Sequence, residues 1–584
     1  MKDFIYKIVS SKRKQRMVGL IVLFSLIIAI AMIPTKIVRA KMLPGKSANT
    51  FSIYVDTATN STVQQTKDVL ECVSDILKEE PEIKNMEMFV GQGAPLDYAG
   101  LVKGSEFKAL KNQAEMVINL TDKHEREEPS FLMVHRLRPI VQGRCEKLYS
   151  GTSIKFVEMP SGPPTYATVQ VNLFGKDTDL LRKTSHVVAA AFKETQGLVD
   201  VDVLEDDIFV RYEILPNVEK IINSHLSVDQ VSKILYLAFK GSVVATKNST
   251  QQQGQIPIFV SLDNKTRTLE DASKEDLELK LSRLKLLNSL GVMVPVKEVV
   301  TISPTLSEPT IYKKNMHYVA SITAECDLVS QVYPLMDARE LMIKKLSKDF
   351  NVTRLTGFST YMFDLALTHK KSGKKMLARW DGEMKVSLDT FRDLGGAFIA
   401  ALILMFLLMV VYYKSFALSG IVLVGSFLSI IGVIVGHFIT DIIFQVISGM
   451  NFYLTATSLI GFISLMGISA RSSLLLIDFT KALIESGVEK NEAIATSTAT
   501  RAKPILLTAV AIILGSLLLA TDPIFGGLGI ALIFGSIAST LVSLFYIPVL
   551  MAKTVAICPP GKDMECFEGK GKSADDVDLK EIAP

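Results

Sequence analysis

Cysteine is scarce in this sequence, with five residues in 584. Neither a C-x-x-C motif nor a cluster of Cys and His occurs, so the usual sequence patterns of zinc and dithiol redox sites are excluded. Three cysteines fall in a long polar region and two near the end of the chain: Cys72, Cys145 and Cys326, then Cys558 and Cys566. The spacing leaves open whether any of the first three form a disulfide.

A basic stripe with interleaved aromatic residues is also missing, and this absence argues against a nucleic-acid-binding protein. The formal net charge of +4 is small for 584 residues and favours no charged partner. Composition and charge therefore argue against nucleic acid as a partner and do not indicate any other kind of partner.

Apolar residues, by contrast, are abundant and bunched. They make up 48% of the sequence, against 21% charged residues. A bilayer core of about 30 Å takes about 20 helical residues. Six segments are predicted to span it, although the fifth is short and would draw on flanking residues: 17–34, 395–413, 416–436, 453–479, 505–520 and 525–551. The first segment resembles a signal peptide, but its long apolar core and lack of an A-x-A-like site favour a retained helix.

The positive charges predict the orientation of these segments. The first 16 residues are rich in Lys and Arg and should be cytoplasmic, which places the long polar region on the outer side. The short loops agree, because the loops near 437–452 and 521–524 hold no Lys or Arg. The inside loops hold Lys414, Lys481, Lys490, Arg501 and Lys503.

The polar region has the pattern of an α+β fold. FSIYVDTA (51–58) alternates like a strand, Ser61 or Asn60 could cap a helix, and MEMFVG (86–91) returns as a strand. Similar strand–helix–strand units recur, and pairs of them make ferredoxin-like domains. Between about 207 and 312 this pattern breaks, which indicates an inserted subdomain.

Several motifs occur in one order along most of the chain. Over roughly residues 10–552 the sequence resembles the C-terminal half of a resistance–nodulation–division (RND) multidrug or metal efflux permease. The resemblance is carried by KMLPGKS (41–47), VGQGAPLDYAGLV (90–102), LTDKHERE (120–127), VEMPSGPP (157–164), WDGEMKVSLDTFRDLG (380–395), TATSLIGFISLMGISARSSLLLIDF (455–479), RAKPILLTAVAIILGS (501–516) and DPIFGGLGIALIFGSIASTLVSLFYIPVL (522–550).

The resemblance implies a membrane α-helical bundle of six transmembrane helices with a large α+β periplasmic region of ferredoxin-like porter subdomains. The expected parts are a cytoplasmic N-terminus (1–16), a transmembrane helix (17–34), a first porter subdomain (43–160), a second one in two parts (165–206 and 313–384), a docking-like insertion (207–312), five transmembrane helices (395–551) and a cytoplasmic tail (552–584).

The resemblance also implies a transporter, not an enzyme, in the bacterial inner membrane. Its energy source would be the proton gradient, with no cofactor and no metal. Its expected partners are membrane lipids, further copies in a trimer, a periplasmic adaptor protein and an outer-membrane channel. The substrate-binding residues stay unknown, and because the 22 methionines are scattered, organic compounds are favoured over metals as substrates.

One absence stands against a complete pump. Members of the family usually carry two such halves in one chain, and the other half brings a pair of adjacent aspartates that carry the protons. No acidic residue lies deep in the six apolar segments here. We therefore expect a separate N-terminal-half subunit. Two alternatives remain: a non-transporting scaffold or truncated pump half, and a self-sufficient homodimer, against which the missing acid argues.

Arg471 lies inside the apolar segment 453–479. An Arg at the centre of a membrane helix costs roughly 2.5–3.5 kcal/mol on insertion scales, although it could snorkel to the cytoplasmic face. Arg does not lose its proton in proteins, so it can act only as a fixed counter-charge. The resemblance places a Lys or Arg here, facing the aspartate pair.

Asp478 is the nearest acid in sequence, but it is seven residues from Arg471. That spacing is about 10.5 Å along a helix, too far for direct contact. We expect Asp478 to form a surface ion pair with Lys481 at i,i+3, and keep it as a secondary candidate for the proton relay.

Arg501 and Thr508 are also seven residues apart and share a helix face. The resemblance assigns both to the relay. The alternatives are a cytoplasmic anchor for Arg501 and a hydrogen bond from Thr508 to its own helix. His437 and Asp441 lie near the outer boundary and are predicted to be interfacial. The many small residues of 525–551 predict close helix packing.

Overall fold

The computed structural model describes residues 1–159, 162, 164–251, 254–263, 273–355 and 363–558. The predicted tail (552–584) and part of the motif 157–164 therefore lie largely outside the described residues. The chain divides into two compact units, one formed by residues 1–204 with those from 311 onward, the other by 205–310. Each is described by itself below.

Two helices begin the chain, α1 (Lys2–Val9) and α2 (Lys12–Ala31). The predicted N-terminal tail is thus helical. α1 packs through its apolar face onto later helices, with Phe4 against the ring of Phe545 and Lys2 Nζ 3.3 Å from Glu492 Oε1. α2 is apolar and has only Ala29 buried.

The first sheet module is a β-α-β-β-α-β unit, the chain order of a ferredoxin-like domain. Its strands form one antiparallel sheet in the order β2-β3-β1-β4, so β4 is an edge strand. The elements are β1 (Thr50–Asp56), α3 (Val63–Leu77), β2 (Ile83–Val90), α4 (Tyr98–Lys103), β3 (Gln113–Leu120), α5 (Ser130–Cys145) and β4 (Ser153–Glu158).

Helix α3 begins one residue later than the sequence predicts. Thr62, not Ser61 or Asn60, is its N-cap, and its side chain accepts a hydrogen bond from the backbone N–H of Gln65 at 3.2 Å. The Gln65 side chain accepts in return from the N–H of Thr62 at 2.8 Å. This reciprocal capping box satisfies two donors that the helix itself cannot satisfy.

The disulfide left open by the sequence joins Cys72 of α3 to Cys145 of α5, with 5.8 Å between the Cα atoms. Cys326 is free. The bond ties the two helices that cover one face of the first sheet. Disulfides of this kind persist in oxidising compartments such as the periplasm.

The chain continues through β5 (Val169–Gly175), α6 (Thr178–Lys193) and β6 (Leu198–Leu204) before the second compact unit. That unit, residues 205–310, has its own apolar core around Ile221, Val231, Leu281 and Val296. It contains β7 (Val210–Pro216), α7 (Val218–Asn223), α8 (Val228–Phe239), β8 (Ser242–Lys247), β9 (Ile256–Val260), α9 (Lys274–Arg283), β10 (Lys285–Leu287), β11 (Met293–Pro295) and β12 (Val300–Leu306).

The second sheet module combines β5, α6 and β6 with elements that follow the second unit. Its strand order is β13-β14-β5-β17-β16-β15, and β6 also pairs with β14. The later elements are β13 (Lys313–Lys314), β14 (His317–Cys326), α10 (Val332–Leu346), β15 (Phe350–Arg354), β16 (Leu365–His369) and β17 (Lys375–Asp381).

Long apolar helices fill the rest of the described chain. They are α11 (Gly382–Tyr413), α12 (Phe416–Phe427), α13 (Ile430–Ser448), α14 (Ala456–Glu485), α15 (Lys490–Ala520), α16 (Gly526–Leu541), a π-helical turn (Val542–Tyr546) and α17 (Ile547–Lys553). In the described part of the chain, six helical stretches are long and apolar enough to cross a membrane: Lys12–Ala31, Gly382–Tyr413, Phe416–Ser448, Ala456–Glu485, Lys490–Ala520 and Gly526–Lys553.

The short segment 505–520 belongs to a helix of 31 residues, because that helix begins at Lys490. α16 packs closely against its neighbours. A methyl group added at Gly535 would lie 2.2 Å from Leu465, and one at Gly527 would lie 2.2 Å from the Thr455 hydroxyl. Small residues here let helix backbones approach each other, as membrane helices commonly do.

Candidate functional site

An exposed stripe runs along α14 (456–485). It consists of residues spaced three or four apart: Ile460, Ser464, Gly467, Arg471 and Leu475. Residues at this spacing share one face of a helix. The other faces of α14 are buried against this chain's own helices, so the stripe is the side of α14 that the chain leaves open.

Arg471 lies in the middle of this stripe. Its guanidinium group is exposed and has no hydrogen bond or ion pair among the described residues. The helix is one of those apolar enough to cross a membrane. The chain therefore presents a single cation on an otherwise apolar and small-residue surface.

Asp478 lies on the same helix but is occupied elsewhere. The hydroxyl of Tyr412, near the end of α11, donates to Asp478 Oδ2 at 3.3 Å. The predicted ion pair with Lys481 is wrong for the described residues, because neither side chain has an ion-pair partner there. A tyrosine from another helix reaches the carboxylate instead.

Arg501, three turns into α15, packs onto α14. Its guanidinium carbon lies 4.7 Å from the centre of the Phe479 ring, a cation–π contact. Its Nε is buried and has no hydrogen-bond partner in the described structure. An unsatisfied buried donor is costly, so the side chain is not simply a solvated cytoplasmic anchor.

Thr508 is exposed on α15, two turns beyond Arg501. Its hydroxyl donates to the carbonyl of Pro504 at 2.9 Å, the local hydrogen bond that sequence reasoning kept as an alternative. Around it α15 presents a broad apolar surface of exposed side chains: Leu506, Leu507, Val510, Leu514, Leu517 and Leu518. The open face of α14 thus has a counterpart on α15.

His437 and Asp441, predicted to lie near the outer boundary of the membrane, are both buried within the protein. His437 Nε2 lies 2.8 Å from the hydroxyl of Ser458. Asp441 Oδ1 accepts a hydrogen bond from the backbone N–H of Phe452 at 2.7 Å. Both side chains tie α13 to the start of α14, which is a structural role.

Sequence reasoning missed a cluster of charges between the two sheet modules. It is centred on Arg138 of α5, whose side chain is 6% exposed and pairs with Asp200 and Asp327. Nearby, burial raises the pKa of Glu158 to about 7, with Arg138 opposing the shift. Arg138, Asp200 and Asp327 are distant in sequence and lie outside the motifs named above, so no local pattern reveals their contact.

No metal-binding arrangement is found among the described residues, where no three or more His, Cys, Asp or Glu side chains are grouped so that they could hold an ion. Several charged residues of the sheet modules pair with one another, as Arg138 does with Asp200 and Asp327. Arg471, inside an apolar helix, has no such partner among the residues that the structure describes.

A family model described as the AcrB/AcrD/AcrF family matches residues 3–360 and 366–554. The chain is 23% identical over 521 residues to the swarming motility protein SwrC of Bacillus subtilis (strain 168), covering 88% of this chain and 43% of SwrC. It is 22% identical over 545 residues to the multidrug export protein AcrF of Escherichia coli (strain K12), covering 91% and 47%.

Among solved structures, a crystal structure of a heavy metal efflux pump superposes with a TM-score of 0.68 at 16% identity. The match covers 94% of this chain and 51% of that one. At this identity the likeness shows the fold alone. The chain spans about half the length of the proteins it matches.

Proposed function

The chain belongs to the AcrB/AcrD/AcrF family of RND permeases, and from this we propose that it is one subunit of a proton-driven efflux pump. The subunit would export small organic molecules from the inner membrane and periplasm. It would need an N-terminal-half partner chain for the groups that carry the protons.

The observation that carries the proposal is the unpaired Arg471 on the open stripe of α14. A permanently charged group facing lipid is expensive, and intramembrane cations nearly always face a bundle interior and pair. Since the described residues offer no carboxylate to Arg471, the partner surface must supply one. Adjacent aspartates on a helix of the partner half would meet this need.

The proposed mechanism follows from the fixed charge of Arg471. When the partner's carboxylates are ionised, they pair with the guanidinium. When they take up protons from the outer side, the attraction weakens and the helices shift. Arg501 and Thr508, on the neighbouring helix, would complete the relay, and Asp478 stays a secondary candidate. Movement of the helices would be passed to the sheet modules, which open and close around the substrate.

The same proposal includes location and assembly. The six apolar stretches would cross the bacterial inner membrane, with both sheet modules in the periplasm, where the Cys72–Cys145 disulfide is stable. Three two-chain units would assemble with a periplasmic adaptor and an outer-membrane channel, surrounded by membrane lipids. The proton gradient supplies the energy, and no cofactor is required.

The proposal is tested by co-expressing the tagged chain with the six-helix N-terminal-half protein of the same organism. We expect the two chains to co-purify and to export substrate in proteoliposomes with an imposed pH gradient, and neither chain to do so alone. Transport by this chain alone would contradict the split arrangement. Co-purification without transport by the pair would favour a scaffold.

A further inference from the structure

The two sheet modules contact each other through a buried carboxylate, that of Asp200. Strand β4 is the edge of the first sheet, and an edge strand leaves backbone N–H groups without a strand partner. The N–H of Phe156 in β4 donates instead to Asp200 Oδ2 at 3.1 Å. Asp200 belongs to β6 of the second module, so one module completes the hydrogen bonding of the other.

Asp200 reaches this position through an irregular backbone. Its φ is +52°, in the left-handed region that non-glycine residues seldom occupy. The register of β6 against β14 shifts at the same place, between Thr323 and Glu325. Bulges redirect side chains, and a strained residue persists only where its surroundings hold it. The strain here turns the carboxylate out of its own sheet.

Three groups of the first module donate hydrogen bonds to the Asp200 carboxylate. Besides the N–H of Phe156, Arg138 Nε donates to Asp200 Oδ2 at 3.3 Å and Gln142 Nε2 donates to Oδ1 at 2.9 Å. The Asp200 side chain is 2% exposed. Both oxygens are therefore satisfied, and every donor comes from the opposite module.

Further charges extend this contact on both sides. Arg138 Nη1 donates to Asp327 Oδ1 at 3.0 Å, and His135 Nδ1 lies 2.6 Å from Asp327 Oδ2. Lys155 pairs with Asp202 across the modules. Lys103 Nζ lies 2.6 Å from Glu325 Oε1. The modules thus meet through ion pairs at this surface.

Buried ion pairs add little net stability compared with an apolar contact, but removing one partner is strongly destabilising because the other charge stays buried without compensation. They are satisfied when the modules are closed, and by water when the modules are apart. We infer that Asp200 and Arg138 form a latch between the two sheet modules, which holds them closed and which must open for the modules to separate. This role rests on the opening and closing of the modules in the proposed function, and hydrogen exchange tests it without a transport measurement.

The amide of Phe156 reports on the latch directly. We would measure hydrogen exchange by mass spectrometry in peptides covering β4, with the full chain in nanodiscs. The variant Asp200→Gly removes the carboxylate and accepts the positive φ without strain. The variant Asp200→Asn also accepts that φ and keeps one oxygen acceptor. We expect exchange in β4 to rise at least about tenfold in D200G and less in D200N.

A matched pair of arginines separates the latch from general destabilisation. Arg138→Gln removes the residue that crosses the modules, whereas Arg136→Gln removes one that pairs within its own module, with Glu80 and Glu128. R138Q should accelerate β4 exchange and R136Q should not. In the double variant R138Q/D200G the effects should not add, because they break the same contact.

The inference is overturned if D200G and R138Q exchange like the wild type in β4. It is equally overturned if R136Q accelerates β4 as much as they do, since the effect would then reflect loosening of the first module. Exchange in β1 and β3, inside the same sheet, should stay unchanged in D200G, which shows that the variant is folded.

Discussion

Two regions of this chain each contain a notable arginine, and the two arginines differ in burial and in pairing. Between the sheet modules, Arg138 is buried and pairs with two carboxylates of the same chain. On α14, Arg471 is exposed and has no partner among the described residues. The comparison teaches that Arg138 is paired within the chain, whereas Arg471 is left to be paired by another chain.

The largest expected effect is on export, and it comes from changing Arg471 in the helical region. Arg471→Ala should reduce proton-coupled export by the assembled pump to background, because the partner's carboxylates lose their counter-charge. Arg471→Lys keeps a cation and should retain part of the activity. The measurement is substrate uptake into inside-out vesicles under a pH gradient. Undiminished export by R471A, with equal amounts of protein, would remove Arg471 from the relay.

The next effect concerns the soluble side. Arg138→Gln leaves the buried Asp200 carboxylate without its cation, and removing one member of a buried pair typically costs about 3–5 kcal/mol. Arg136→Gln, whose side chain is 44% exposed, should cost no more than about 1 kcal/mol. Urea unfolding of the full chain, followed at the soluble region, measures both. Equal losses for the two variants would mean that burial of Arg138 confers no special role.

The disulfide should have a somewhat smaller effect on the same region. It closes a loop across 73 residues of sequence, and bonds of this kind typically stabilise by about 2–4 kcal/mol. The double variant Cys72→Ser/Cys145→Ser should lower the unfolding midpoint of the first sheet module. Cys326→Ser, at the free cysteine, is the control and should change it little. A double variant as stable as the wild type would refute a stabilising role.

A pH effect follows from Glu158, which lies near Arg138 and Lys41 as well as Glu325 and Asp327. Burial raises its pKa to about 7 in the folded protein. An acid whose pKa is raised on folding stabilises the folded state at low pH, and this contribution is lost as pH rises from about 4.5 to about 7. Between these pH values the wild type should lose roughly 3 kcal/mol more stability than Glu158→Gln does. Identical slopes would contradict the assignment.

The smallest expected effect concerns Asp478 and distinguishes a structural role from a role in the relay. Tyr412→Phe removes the hydroxyl that donates to Asp478. A net hydrogen bond contributes about 1 kcal/mol or somewhat more to a charged acceptor, so stability should fall slightly. Export should persist if Asp478 is structural. Loss of export in both Tyr412→Phe and Asp478→Asn, with normal assembly, would instead place Asp478 in the relay.

Local sequence patterns predicted some of these features and not others. The apolar runs located the helices, because length and composition alone decide whether a helix can span a bilayer. The capping residue was misplaced by one position, although Thr62 and Gln65 carry the capping-box spacing. For Asp478 the i,i+3 rule predicted an ion pair with Lys481, but the carboxylate accepts a hydrogen bond from Tyr412 of another helix instead.

Tertiary contacts account for what the sequence could not show. The burial of His437 depends on Ser458 in the following helix. The contact of Arg138 with Asp200 joins residues 62 positions apart and depends on a left-handed residue in a strand. A periodic pattern carries no information on such a contact. The unusual charge at Arg471, by contrast, was visible in the sequence because an apolar run makes any ion conspicuous.

The central claim is that the open stripe of α14 is covered by a second helical half that supplies the carboxylates. Photo-crosslinking in native membranes tests it most directly, with a photoreactive amino acid placed at Leu475 on the stripe or at Leu476 on the buried face. We predict a crosslink from position 475 to the N-terminal-half protein, and crosslinks from position 476 only within this chain. Position 475 failing to reach that protein, in membranes where both chains are present and export is active, would contradict the account.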